Sequence, residues 1–460
     1  MDKVGRKEYL GITIDYNRES KLNKFSLDTL RDRYFWKEET HAQEALARAA
    51  VFAATYKNNT DFELAQRLYD YSSLHWFMFS TPILSNGGTS RGLPISCFLN
   101  YVPDSRVGLS AHYDENIWLA SAGGGIGGYW GDLRSNGVST SNGSKSTGCI
   151  PFMHVVDSQM LAFNQGVTRR GSYAAYLDVS HPEIEEFLNM RKESGGDINR
   201  KCLNLHNGVN ITNDFLKAIK NDEYWRLIDP KTKQPVKTIN ARSLWWQLIN
   251  ARAETGEPYL INIDTCNEHL PKSQKDLGLE IKQSNLCSEI TLATNEERTA
   301  VCCLSSVNLE KFDEWKDNKL FISDLITMLD NVIQHFIENI VDIEELGEYN
   351  ANYKRFTNYI KEEKEGYQKA AFSAYRERSI GLGAMGFHSY LQSKNVPFEG
   401  MEATGINYKL FKHINTRATK ATQDLADMRG SCPDAGSSNV RNVHLIAVAP
   451  NASSSIICGG

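Results

Sequence analysis

The chain has 460 residues, room for two to four domains at roughly 100–200 residues each, and 41% of them are apolar, which excludes disordered and small disulfide-stapled classes. The 51 Lys+Arg and 56 Asp+Glu give a formal charge of −5 without the long basic run of a nucleic-acid binder, so no polymer partner is expected. Apolar stretches such as residues 443–448 are too short to cross a bilayer and the first residues lead into polar sequence, so the protein reads as cytoplasmic and not membrane-bound.

Residues 26–79 carry a helical pattern, with Thr40 and Gln43 spaced as a capping box and Asp61 opening a second amphipathic segment. From residue 80 to 176 short apolar runs are broken by Gly, Ser and Asn, leaving little room for long helices and many loops of a kind that carry function. Beyond residue 204, NGVNIT and PYLINID read as strands around the helical DFLKAIK and a helix capped by Ser243 and stopped by Gly256. Helical patterns recur at 323–345, 366–394 and 404–429, and the strand-like HLIAVAP follows. Strands interleaved with helices place the chain in the α/β class, with residues 1–79 as a helical N-terminal region and 80–460 as the α/β portion.

Gly123, Gly125 and Gly128 satisfy G-x-G-x-x-G, but a helical pattern precedes them and no acidic residue follows at about 20 positions, so a dinucleotide site is not expected. Lys145–Ser146–Thr147 resembles a phosphate loop only loosely, because Ser144 separates Gly143 from the lysine. The 9 cysteines form neither a C-x-x-C pair nor a ladder of zinc spacing, so no metal site is expected.

The informative segment is SNLCSEI, residues 284–290. In an extended backbone Asn285, Cys287 and Glu289 fall on one face and bring an amide, a thiol and a carboxylate together. Cys97 in PISCFLN and Cys302 in AVCCLSSVNL are candidate exchange thiols. The turn in APNASSS is dense in hydroxyls and amides that suit an anion such as phosphate.

Taken in order, STPILSNGGT, ISCFL, AGGGIGG, NQGVTRRG, SNLCSEI, VCCLSSVNL and APNASSS resemble the large, catalytic subunit of ribonucleotide reductase, most like that of class I, from about residue 25 to the end. The resemblance implies a ten-stranded α/β barrel with the reactive cysteine on a loop at its centre. It implies that Cys287 becomes a thiyl radical, that Glu289 is the general base and that Asn285 binds the sugar hydroxyls. It implies that Cys97 and Cys302 are the dithiol that ends each turnover as a disulfide, Cys302 being preferred over Cys303 because its spacing to Leu304–Ser305 fits C-x-L-S.

By the same resemblance Thr81, Ser96, Gly125, Asn451, Ala452, Ser453 and Ser454 contact the substrate and its phosphates. Asp104 and Arg134 hold a nucleoside triphosphate effector at a dimer interface, and residues 165–171, with Arg169 and Arg170, relay effector identity. The implied partners are a small subunit whose dinuclear metal centre supplies the radical, thioredoxin or glutaredoxin as dithiol reductant, ribonucleoside diphosphates as substrates, and a second copy of the chain. The family's ATP cone has no counterpart, a lysine expected before Ala122 is missing, and the sequence stops just after the phosphate turn. The reading is therefore one piece of a split or interrupted subunit, completed by a C-terminal fragment. The alternatives are an adenosylcobalamin-dependent reductase and a non-catalytic nucleotide-binding scaffold.

Overall fold

A computed structural model describes residues 4–95, 97–163, 171–347 and 350–459. Ser96 and residues 165–170 of the effector relay lie outside the described residues. The chain divides into two compact units, the first being Met1–Ser96, Cys302–Glu362 and Ser373–Gly460, and the second Cys97–Val301 and Glu363–Phe372.

In the first unit Asn23 starts the helix Lys24–Arg33 by accepting from the Ser26 amide, and Asp61 caps Phe62–Ser73 through the Leu64 amide. The capping box before Ala42–Ala53 is offset by one residue from Thr40/Gln43. The Glu44 carboxylate accepts from the amides of Thr40 at 2.8 Å and His41 at 3.2 Å, while Gln43 is buried and accepts from the Tyr69 hydroxyl at 2.6 Å. A charged acceptor at the positive end of a helix wins over a neutral amide.

These helices accompany a three-stranded sheet in which Cys303–Asn308 lies between Ile380–Met385, parallel to it, and Phe77–Phe79, antiparallel to it. The helical reading of 366–394 is therefore corrected: Gln368–Glu377 and Phe387–Ser393 are helices, and Ile380–Met385 between them is a wholly buried strand. A strand covered on both faces loses its alternation and mimics a helix interior. Residues 323–345 become the helices Phe321–Ile340 and Ile343–Leu346, and 404–429 becomes Met401–Arg429. HLIAVAP forms no ladder of its own. It runs beside Ile380–Met385 through two bonds, Ile380 N–H to His444 O at 3.1 Å and Leu382 N–H to Leu445 O at 2.8 Å.

The second unit is built on a six-stranded sheet ordered Tyr259–Asn262, His206–Ile211, Ser172–Asp178, Gly125–Tyr129, Cys97–Tyr101 and Ala300–Val301. The first five are mutually parallel and the short sixth is antiparallel. Parallel neighbours require crossover connections, and the helices Arg106–Ser121, Ile150–Ala162, Asn213–Asn221 and Ala241–Thr255 lie in them. The last of these is capped by Asn240, whose side chain accepts from the Ser243 amide, so the cap sits three residues before Ser243; Gly256 at φ 80° ends the helix as expected. Among the described residues the strands form these two sheets and three two-stranded ribbons, and none closes into a ring. No helix among them is long and apolar enough to cross a membrane.

Candidate active site

The SNLCSEI segment is a turn and not an extended strand, which corrects the one-face geometry read from its spacing. Asn285 closes the turn: its Oδ1 accepts from the amides of Glu289 at 3.0 Å and Ile290 at 3.1 Å, and its own amide donates to Ile290 O at 3.3 Å. Ser284 Oγ adds a bond to Ile290 O at 2.7 Å, and Ser288 takes a left-handed φ of 65°. The side-chain oxygen wins because an asparagine can satisfy two turn amides that have no backbone acceptor. Cys287 is thereby carried to an exposed tip beside the half-buried Glu289. The amide bonds also fix the orientation of Asn285, turning Nδ2 to the other side, where it is buried without a hydrogen-bond partner among the described residues.

Four consecutive parallel strands hold this loop. Asn210 Nδ2 donates to Lys282 O at 2.7 Å, and Gln283 Nε2 donates to Asn100 O at 2.8 Å and Gly127 O at 3.2 Å. The Tyr176 hydroxyl donates to Asn285 O at 2.6 Å. Thr294 fixes Gln283 from the far side by donating to Oε1 at 2.9 Å. The loop lies so close to the sheet that a Cβ at Gly127 would sit 2.1 Å from Ser284 O and 2.8 Å from Asn285 Cα. A Cβ at Gly128 would sit 1.6 Å from the Tyr173 hydroxyl. The glycine-rich run thus admits a packed loop, and it follows a helix and forms a strand, the reverse of the dinucleotide order. Tyr259 lies within electrostatic reach of the tip: burial pushes its hydroxyl up, and charge at Glu257, Cys287 and Glu289 adds to the shift.

Cys97 opens the strand Cys97–Tyr101 in register with Gly125 and is 6% exposed. Cys302, in the other unit, is 4% exposed; its Sγ stands 3.0 Å from the place a Cβ at Gly381 would take. Cys302 shares a strand face with Leu304 and Ser306, whereas Cys303 and Ser305 belong to the opposite face.

In the first unit the structure brings Thr81 and the serine turn to one helix end. Thr81 Oγ1 is 3.0 Å from the Tyr34 hydroxyl, and the neighbouring Arg33 Nη1 reaches Ser453 Oγ at 3.5 Å. Asn451 enters the short helix Ala452–Ile457 at φ 57° with its side chain fully engaged: Oδ1 accepts from Ser306 Oγ at 2.6 Å, and Nδ2 donates to Ala449 O at 2.8 Å and Ala384 O at 3.2 Å. In the second unit Asp104 and Arg134 form a two-point ion pair, Nε to Oδ1 and Nη2 to Oδ2 each 2.9 Å, and Arg134 Nη1 donates to Ser139 O at 3.1 Å.

Cys149, His181 and Glu183 hold potential ligand atoms within 4.8 Å of one another. His181 Nε2 is engaged with Leu133 O at 2.9 Å and Nδ1 accepts from the Glu183 amide at 3.1 Å, so both imidazole nitrogens are committed and the cluster is a hydrogen-bonded brace. Tyr176 and Gln283 belong to no motif read in the sequence, whereas Gly127 lies in the AGGGIGG run. Gln283 directly precedes SNLCSEI, but Tyr176 and Asn210 read as ordinary residues of buried strands.

The chain matches the family models "Ribonucleotide reductase, all-alpha domain" over residues 20–92 and "Ribonucleotide reductase, barrel domain" over 95–440. It is 48% identical over 397 residues, 86% of its length, to a frog virus 3 protein assigned as a ribonucleoside-diphosphate reductase large subunit, and spans 65% of that protein. It is 42% identical to the ribonucleoside-diphosphate reductase large subunit of invertebrate iridescent virus 3, covering 97% of the chain and 74% of the relative. Among solved structures it superposes on the class Id ribonucleotide reductase alpha subunit of Actinobacillus ureae with a TM-score of 0.78 at 32% identity, covering 95% of the chain and 74% of the other.

Proposed function

We propose that this chain, which belongs to the ribonucleotide reductase large-subunit family, reduces ribonucleoside diphosphates to deoxyribonucleoside diphosphates by thiyl-radical chemistry. Its fold is the family's α/β barrel type preceded by a helical N-terminal domain. We take residues 1–79 as the helical part, 80–460 as the barrel part, and the barrel as the ten-stranded one of the family.

The observation that carries the reading is the turn at Cys287, seated by four strands and offering a thiol at its tip with an amide and a carboxylate in the same turn. In the proposed cycle a Cys287 thiyl takes the 3′-hydrogen of the ribose. Glu289 accepts the proton of the 3′-hydroxyl, the 2′-hydroxyl leaves as water, and the Asn285 side-chain amide hydrogen-bonds the sugar hydroxyls once the turn has opened to substrate. Cys97 and Cys302 give two electrons and two protons and become a disulfide, and the 3′-hydrogen returns from Cys287. Thr81, Ser96, Gly125 and the turn from Asn451 through Ala452, Ser453 and Ser454 hold the substrate, Asn451 acting by shaping the turn because its side chain is engaged internally. Asp104 and Arg134 hold a nucleoside triphosphate effector at the interface of a homodimer. A small subunit with a dinuclear metal centre supplies the radical, thioredoxin or glutaredoxin restores the dithiol, and the site of action is the cytoplasm.

The test is an assay of deoxynucleotide formation by the purified chain with a class I small subunit and a dithiol. It is run alone and with the portion of a relative's large subunit that lies beyond the matched span. Deoxynucleotide formation lost in both Cys287→Ser and Cys302→Ser, and limited to a single turnover in the unsubstituted chain when the dithiol reductant is left out, supports the reading. Unchanged turnover in Cys287→Ser, or a requirement for added cobalamin, overturns it.

A further inference from the structure

We infer that Tyr176 is a positioning residue for Cys287, its hydroxyl clamping the turn on both sides of the thiol. This inference rests on the reading of Cys287 as the radical-bearing residue and names a group that supports it. Tyr176 is fully buried in the strand Ser172–Asp178. Its hydroxyl donates to Asn285 O, two residues before Cys287, at 2.6 Å, and lies 3.4 Å from Ser288 Oγ, one residue after it. Asn285 O also accepts from the Ser288 amide at 3.3 Å, so the phenol meets the turn where its two arms cross.

The turn needs such support. Ser288 sits at φ 65°, a left-handed conformation that a residue with a Cβ keeps only when its surroundings over-determine it. Room for the ring is built in, because a Cβ at Gly208 on the adjacent strand would lie 2.4 Å from Tyr176 Cε1. Burial pushes the hydroxyl up, so it stays a donor at neutral pH. A side chain standing on a rigid central strand transmits the position of the sheet to the tip of the loop, and a reacting sulfur displaced by about 1 Å costs about 100-fold in rate.

Hydrogen–deuterium exchange on the full purified chain tests this without requiring activity. Tyr176→Phe keeps the ring and removes the donor. Exchange in the peptide covering 285–290 is expected to rise about fivefold, the effect of one lost hydrogen bond, with residues 206–211 of the neighbouring strand unchanged. Alkylation of Cys287 by iodoacetamide is expected to change in parallel. Gly208→Ala, which displaces the ring from the neighbouring strand, is expected to raise exchange at 285–290 as well. In the reconstituted reductase the same Tyr176→Phe change lowers kcat and leaves the KM for the ribonucleotide unaltered. Unchanged exchange at 285–290 overturns the inference, as does a rise shared equally by 206–211, which marks a role in the sheet alone. An inactive wild-type chain with the local exchange effect intact places the failure in the functional reading and not in the clamp.

Discussion

Ser306 donates its hydroxyl proton to Asn451 Oδ1 at 2.6 Å and so ties the start of the serine turn to the middle of a buried strand. Asn451 is one of the few residue types that tolerate its φ of 57°, and two further bonds from Nδ2 leave its side chain no freedom. Ser306→Ala removes the donor and leaves a largely buried oxygen unpaired, a cost of about 1–3 kcal/mol. If the turn binds phosphate, steady-state kinetics of the reconstituted enzyme will show KM for the nucleotide raised about tenfold with kcat within twofold. A fall in kcat at constant KM would remove the turn from the binding machinery.

Gly127→Ala tests the seat of the loop. The added methyl would meet Ser284 O at 2.1 Å and Asn285 Cα at 2.8 Å, and both are backbone atoms, so the loop must move and not merely a side chain. If Cys287 is the reacting thiol, misplacing it predicts a loss of about 100-fold in kcat with retained circular dichroism and with nucleotide affinity within a few-fold. Wild-type turnover in this variant would show that the observed approach of loop and sheet is not the working geometry.

In the second unit the elements beyond residue 204 were legible because the strands are short and bounded by turn residues, whereas the full extent of the long helices Arg106–Ser121 and Ile150–Ala162 was not, because they lie among Gly-, Ser- and Asn-rich runs and carry no clear apolar stripe. The strand Ile380–Met385 was not, because six buried residues in a row carry no alternation. In the candidate site the spacing pointed to a geometry that the structure does not have. The spacing of Asn285, Cys287 and Glu289 suits an extended strand, yet the side chain of Asn285 takes the amides of Glu289 and Ile290 and folds the segment into a turn. Tyr176 and Gln283 stayed hidden because their roles come from cross-strand contacts between residues more than a hundred positions apart. Such contacts leave no local pattern to read.

The homodimer proposed above has a candidate locus. Val107 on Arg106–Ser121 is 81% exposed, and Val155 and Leu161 on Ile150–Ala162 are 41% and 60% exposed, although these two helices pack together. Exposed apolar side chains on two adjacent helices are what a dimer contact would bury. Leu161→Glu is therefore expected to weaken dimerisation at least about tenfold, the equivalent of about 1.4 kcal/mol, read by light scattering across a dilution series. The pair Asp104–Arg134 is left intact, so any effector affinity it confers falls only to the extent that it depends on the dimer. A variant as dimeric as the wild type would move the interface elsewhere.

Stability should depend on acid through Asp330. This fully buried carboxylate accepts from Arg378 Nε at 2.8 Å, Arg429 Nη1 at 2.8 Å, Arg441 Nε at 3.4 Å and Asn442 Nδ2 at 3.1 Å, joining the helices Phe321–Ile340 and Met401–Arg429 to the segment after them. Burial alone would raise its pKa, but the charges of Arg378, Arg441 and Arg429 outweigh burial and hold the carboxyl well below the usual range. A group whose pKa is lower in the folded state contributes stability above its unfolded value of about 3.9 and loses it as the pH falls through that value toward the folded one. Asp330→Asn leaves three guanidiniums around a neutral amide and is expected to cost about 3–5 kcal/mol at pH 7. In urea titrations the gap between wild type and variant should be widest near neutrality and narrow steadily below about pH 5, because protonation removes from the wild type what the substitution has already removed. A gap of constant size from pH 7 to pH 3 would show that packing, and not the charge on Asp330, holds these segments together.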